Sequence, residues 1–145
     1  MSPDSNKETL VISAFPGTGK SYLSKIPGFV VSDSDSSRFQ KDGFPDNYLR
    51  HIKGRIGKVD ILCVSSHDTV REAMVKEGIP FVLVYPSIDS KNEYLNRYLE
   101  RGSNEHFINM MNQQFEKFIE GCKRQENCQH IELLPGQYLS DIIKS

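Results

Sequence analysis

Thr9-Leu10-Val11-Ile12-Ser13, followed by Ala14-Phe15-Pro16-Gly17-Thr18-Gly19-Lys20-Ser21, decides the fold expected of this chain. The second stretch reads A-x-x-x-x-G-K-S, one residue away from the phosphate-binding loop pattern G-x-x-x-x-G-K-[ST]. The mismatch is Ala14, a small residue at a position that is not pressed against phosphate. The first stretch is a short β-branched strand, and Ser21-Tyr22-Leu23-Ser24-Lys25 opens a helical pattern. Strand, glycine-rich turn and helix start together make an anion cradle, in which backbone N–H groups converge on phosphate. In that geometry Pro16, Gly17, Thr18 and Gly19 wrap the phosphates, Lys20 reaches the β/γ-phosphates, and the Ser21 hydroxyl ligates Mg²⁺. The competing reading is a chance match in a glycine-rich turn.

Outward from the loop, apolar runs alternate with helical segments. Strands are expected at Phe29–Val31, Asp60–Val64, Pro80–Tyr85 and, more weakly, His130–Leu134. Helices are expected over Asp46–Lys58, Asp68–Glu77, Ser90–Arg101, Glu105–Lys123 and Gln137–Lys144. Ser90-Lys91-Asn92-Glu93 has the spacing of a capping box. Phe107, Met110, Met111, Phe115, Phe118 and Ile119 follow a helical period and read as core. The pattern predicts an α/β fold with a five-stranded parallel sheet and helices on both faces. The near-continuous apolar character of the third and fourth strands fits strands covered on both sides.

The length of 145 residues is that of one domain, and the formal charge of −1 balances 18 basic against 19 acidic residues. That balance predicts no broad footprint for duplex nucleic acid. No apolar run reaches membrane-spanning length, and residues 1–8 are polar, lack the apolar stretch of a signal peptide and read as a frayed lead-in. Three cysteines (Cys63, Cys122, Cys128) without a C-x-x-C pattern argue against a disulfide framework or a zinc site and favour a reducing, intracellular compartment. Cys63 reads as a small buried hydrophobe.

In parallel sheets ligands bind beyond the C-terminal strand ends. After the second strand comes Asp33-x-Asp35-x-x-Arg38. One carboxylate suits the acceptance of a proton from an attacking hydroxyl and the other the holding of metal-bound water. Arg38 suits an acceptor phosphate. The alternative is a solvated turn in which Asp35 or Ser36 caps the next helix. After the third strand, Ser65-Ser66-His67-Asp68 offers Ser66 as a helix cap and His67 as a contact to substrate or phosphate. After the fourth, Arg97 and Arg101 share a helical face ahead of Gly102, which suits a lid closing on transferring phosphates. The alternative is a solvated face with Glu93–Arg97 pairing. Tyr22, Phe39, Phe44 and Tyr48 lie toward the acceptor side and read as packing before base stacking.

These motifs make the chain resemble small P-loop kinases that phosphorylate metabolites, nucleotides and nucleic-acid ends, and most closely the kinase domain of bacteriophage-type polynucleotide 5′-kinases. The likeness runs from about Thr9 to Gly102. It rests on Pro16–Ser21, on Pro27-Gly28-Phe29 with Asp33–Arg38, and on Arg97, Arg101 and Gly102. It implies a three-layer P-loop kinase fold in a single domain over 1–145, with an arginine-bearing lid near 89–104. It also implies ATP and Mg²⁺ as cofactors and a phage-encoded enzyme acting in a bacterial cytoplasm. It makes Lys20 and Ser21 the ATP and Mg²⁺ contacts, with Asp33 helping to hold the metal as in shikimate-kinase-like enzymes. Asp35 becomes the base, Arg38 an acceptor or transition-state ligand, and Arg97 and Arg101 the lid arginines. Asp33, Asp35, Arg38 and His67 then form the acceptor side. The chain departs from those enzymes at the end of the third strand, where Ser65-Ser66-His67 replaces an aspartate. Acceptor identity therefore stays open among a 5′-hydroxyl end, a nucleoside or modified base, a nucleotide and a small metabolite. A regulatory NTP-binding module is the alternative of another class.

Overall fold

A computed structural model describes residues 8–23, 25–34 and 40–143, Ser21 by its backbone alone. Its strands are β1 (Leu10–Ala14), β2 (Val31–Asp33), β3 (Ile61–Ser65), β4 (Val82–Pro86) and β5 (Gln129–Leu133). They form one sheet of order β2-β3-β1-β4-β5 in which every pair is parallel. The helices are α1 (Lys20–Leu23), α2 (Asp46–Arg55), α3 (Asp68–Lys76), α4 (Lys91–Glu100), α5 (Glu105–Arg124) and α6 (Leu139–Ile142). Among the described residues no helix is long and apolar enough to cross a membrane.

The strand order dictates the layers. From β1 the chain crosses to β2 at one edge, and every later crossover runs the other way. Right-handed connections then put α1 on one face and α2 to α5 on the opposite one. The core divides accordingly. Val11, Leu62, Val64 and Leu83 meet Tyr48, Met74, Tyr98, Met111 and Phe115 from α2 to α5. The alternate residues Ile12, Ala14, Ile61, Cys63 and Val84 meet Leu23 and Leu139 from α1 and α6. Period-two alternation thus feeds two cores, which is why β3 and β4 read as near-continuous apolar runs.

Several boundaries differ from expectation. The second strand lies at Val31–Asp33, not Phe29–Val31, because the ladder to β3 only starts where Val30 meets the beginning of that strand. The Val30 carbonyl accepts from Asp60 N and Ile61 N, and its N–H donates to Asp60 Oδ2 at 2.7 Å. The fourth runs from Val82 to Pro86, its register set by β1 (Ile12 opposite Val82). The last helix shrinks to Leu139–Ile142. The expected capping box at Ser90 does not form: Ser90 makes no side-chain cap, and its buried hydroxyl has no partner among the described residues. Ser87 instead caps a 3₁₀ turn over Ile88–Ser90, accepting from Asp89 N at 3.2 Å. In α5 Met111, Phe115 and Ile119 are buried as expected, whereas Met110 and Phe118 reach solvent.

Candidate functional site

A cavity of about 870 Å³ opens at the C-terminal ends of β1, β2 and β3. Ala14, Asp33 and Ser65 end those strands and stand on its wall, with Ser34 and Ser66 beside them. Pro16, Gly17, Gly19 and Lys20 form a second side, and Arg97, Glu100, Arg101, Ser103, Asn104 and Phe107 a third. Tyr138 completes the rim.

The turn after β1 is built by its glycines. Gly17 has φ +90° and Gly19 φ +97°, a backbone region open to glycine and strained for other residues. Phe15 leaves the strand with its N–H on the Val84 carbonyl (2.9 Å) and its ring edge-on to Phe115 (5.6 Å between centroids). Thr18 is buried, its hydroxyl on the Phe15 carbonyl at 2.8 Å. The N–H groups of Gly17, Gly19 and Lys20 have no acceptor among the described residues. Unpaired backbone donors beside a cavity that also holds a lysine make an anion-binding concavity.

Asp33 is exposed at the end of β2, and Lys20 stands half-buried at the start of α1. Both bear on Cys63, opposite Asp33 in the β2–β3 register. Burial pushes the Cys63 thiol up to about 12, with the Asp33 charge adding to the rise and Lys20 opposing it. Cys63 is buried in the core, as expected of a small hydrophobe. The floor between β2 and β3 is fixed by Tyr48, whose hydroxyl donates to the Ser34 carbonyl (2.6 Å) and accepts from Ser65 N (3.2 Å). Tyr48 is buried, so it packs and does not stack on a base; Phe44 lies over it at 5.8 Å.

Of the expected site residues, the cavity gathers Pro16, Gly17, Gly19, Lys20, Asp33, Arg97 and Arg101. Thr18 shapes the turn from beneath. His67 is not among the cavity residues: its exposed ring begins α3, where Thr69 N–H is shared between His67 Nδ1 (3.3 Å) and Asp68 Oδ1 (2.8 Å). His67 is therefore the cap residue expected at Ser66, which lines the cavity and accepts from Arg71 Nε at 2.8 Å. Asp35, Arg38 and Phe39 lie outside the described residues, as does the side chain of Ser21.

The two arginines of α4 and its C-terminus differ in environment. Arg101 is exposed, donates from Nε to Ser103 Oγ (3.0 Å) and lies 5.0 Å from the Tyr98 ring centroid. The Arg97 side chain is only 10 % exposed and is ion-paired with Glu93. The pairing belongs to the alternative expected from sequence, but it is buried where a solvated face was expected.

Sequence reasoning missed the turn after β5. Glu93 accepts from Gly136 N (2.9 and 3.1 Å), Leu139 N donates to the Thr18 carbonyl (2.9 Å), and Tyr138 covers Gly19. Leu134-Pro135-Gly136-Gln137 carries an evident turn signal at a strand end, and inspecting the end of the fifth strand as closely as the first four would have found it.

No protein-family model matches the chain, and no curated protein is significantly similar to it in sequence.

Proposed function

We propose that this chain is an ATP- and Mg²⁺-dependent phosphotransferase of the P-loop kinase type, moving the γ-phosphoryl group of ATP to a hydroxyl or phosphate of a nucleotide, nucleoside or nucleic-acid-end acceptor. The observation that carries this reading is the trio of N–H groups at Gly17, Gly19 and Lys20, which find no acceptor among the described residues, on the wall of a cavity of about 870 Å³. Neutral turns rarely leave such donors unpaired, and an oligophosphate supplies acceptors for all of them. The volume falls in the range of small-molecule sites, about 300–1,000 Å³.

The roles follow from position for the described residues and from the resemblance for Asp35, Arg38 and the Ser21 side chain. The triphosphate tail rests on the Pro16–Lys20 turn, with the Lys20 ammonium at the β/γ-phosphates. The acceptor enters beside Asp33, Ser34, Ser65 and Ser66. Its oxygen attacks the γ-phosphorus as the bond to the β–γ bridging oxygen breaks, ADP leaves, and a hydroxyl proton passes to the carboxylate that the resemblance makes the base, Asp35. Arg101 faces the turn across the cavity, where it balances charge growing on the transferred group; the resemblance alone makes Arg38 a further ligand for it. The lid role narrows to the junction of α4 and α5, Arg101 to Asn104, where Gly102 has φ +78°.

The donor set fits Mg²⁺ held largely by substrate. Among the described residues no group of three or more His, Cys, Asp or Glu side chains gathers to hold a metal, and Mg²⁺ ordinarily binds through one or two protein oxygens plus phosphates and water. Asp33 and, as the resemblance implies, Ser21 would be those protein groups, and the ion would supply charge neutralisation.

An ATP-consumption screen over deoxynucleosides, nucleoside monophosphates and 5′-hydroxyl oligonucleotides, with product masses measured, tests the reading. A phosphorylated acceptor supports it. ATP turnover to ADP and phosphate alone, whatever the acceptor, moves the chain to the class of regulatory NTP-binding modules.

A further inference from the structure

The carbonyls of Pro16, Gly17 and Thr18 each accept a hydrogen bond from outside the turn. Tyr98 Oη donates to Pro16 O (2.9 Å), Arg97 Nη1 to Gly17 O (2.7 Å) and Leu139 N to Thr18 O (2.9 Å). The peptide unit is planar and trans, so a carbonyl pulled to one side sends the next residue's N–H to the other. The outward pull on Pro16 and Thr18 therefore turns the Gly17 and Gly19 N–H groups away from α4 and the C-terminal turn. The pull on Gly17 directs the Thr18 N–H back to Phe15 O, at a long 3.4 Å.

Arg97 is unusually fixed for a residue at a cavity. Its guanidinium lies 4.3 Å from the Tyr94 ring centroid and 3.8 Å from that of Tyr138. Nη2 donates to Glu93 and to the Gln137 carbonyl (3.1 Å). Glu93 balances the buried charge and binds Gly136 N as well. Swinging Arg97 toward a transferring phosphate would break its bonds to Gly17, Glu93 and Gln137, separate it from both rings and leave the Glu93 carboxylate without its partner charge.

We infer that Arg97, held by Glu93 and assisted by Tyr98, is a positioning residue: it clamps the carbonyl side of the Pro16–Gly19 turn to α4 and to the Gly136–Leu139 segment, so that the N–H side is presented to ligand. The inference rests on the phosphate-binding reading for the ligand's identity, but the clamp itself is a property of the ligand-free chain. Arg97 and Arg101, four residues apart, thus divide two tasks, Arg97 shaping the cradle and Arg101 facing its contents.

Hydrogen exchange on the full ligand-free chain tests the clamp without nucleotide. Arg97→Ala and the milder Glu93→Gln should speed amide exchange in residues 15–20 and 134–139, by about tenfold for the alanine variant, with β3 and β4 unchanged. Arg124→Ala, which removes a surface pair with Glu120, should leave both segments as in the wild type. Nucleotide titration gives the second readout. Arg97→Ala should raise the Kd for ATP·Mg²⁺ about tenfold with a smaller change in kcat, and Arg97→Lys, keeping charge and one donor, should recover part of the affinity. Unchanged exchange in the two segments overturns the clamp, as does an intact Kd with a collapsed kcat, the signature of an arginine on the transferring group. Should Arg97→Ala fail to fold, Glu93→Gln decides by the same exchange criterion. Wild-type protein that binds no nucleotide would remove the phosphotransferase reading, while the exchange rates still decide the clamp.

Discussion

Tyr138 lies over Gly19 so closely that a Cβ added to the glycine would come within 3.0 Å of Tyr138 Cδ2. The contact joins the segment after β5 to the turn after β1; a Cβ there would press on the ring, and φ +97° at Gly19 is strained for any other residue, so substitution is opposed in two independent ways. Gly19→Ala should therefore destabilise the fold by about 1–3 kcal/mol and weaken ATP·Mg²⁺ binding. Adding Tyr138→Ala should recover only the steric share. Full recovery in the double variant, read by denaturant unfolding, would show that backbone conformation is not the constraint.

Lys20 touches the cavity and lies outside both core clusters. Lys20→Ala should abolish nucleotide binding and leave the unfolding free energy within about 0.5 kcal/mol of wild type, as for substitutions away from the core. Unaltered turnover in this variant would take the turn out of the mechanism.

Arg101 is bound only lightly, to Ser103 Oγ and against the Tyr98 and Phe107 rings. Arg101→Ala should lower kcat by about a hundredfold or more while the Kd for ATP stays within a few-fold, since a group stabilising developing charge acts in the transition state. Equal losses in both would mean that it serves ground-state binding.

Tyr48→Phe removes a hydroxyl that ties Ser34 O to Ser65 N across the cavity floor. The fold should survive with a loss of about 1–3 kcal/mol, because buried polar groups lose a partner. A neutral effect in chemical denaturation would mean that water replaces the hydroxyl.

Alkaline pH should weaken the fold. Burial raises Tyr94 from 10.0 to about 12, Cys63 from 9.0 to about 12 and Cys122 from 9.0 to about 11, and it raises Tyr98 as well. The unfolded chain releases these protons at the ordinary values and the folded chain retains them. The stabilisation is therefore whole below about pH 9 and declines as pH rises toward 12, by up to about 1.4 kcal/mol per pH unit for each group. Unfolding midpoints measured from pH 8 to 11.5 check this; a flat profile would contradict the burial of these groups.

The sheet was legible because β3 and β4 serve two cores and so carry apolar residues almost without interruption. The turn after β1 was legible because its glycines sit where positive φ is required. What sequence spacing concealed is long-range. Ser90 and Glu93 stand at capping-box distance, yet Glu93 is taken by Arg97 and by Gly136, which is brought close only by the β4–β5 pairing. Arg97 and Arg101 share a helical spacing, but Tyr138 and Gln137 bury the first and leave the second open. The same limit applies to Met110 and Phe118, whose periodicity in α5 is right for a core but whose positions fall beyond the contact with the sheet.

The central claim is that the Pro16–Lys20 turn holds the tail of a nucleoside triphosphate. A calorimetric titration of the wild-type chain and of Lys20→Ala with ATP·Mg²⁺, with inorganic tripolyphosphate as competitor, addresses it most directly. Wild type should bind saturably at one site and release ATP to tripolyphosphate, and Lys20→Ala should give no signal. Absence of heat with wild-type protein in buffers of different ionisation enthalpy, or equal binding by the two proteins, would contradict it.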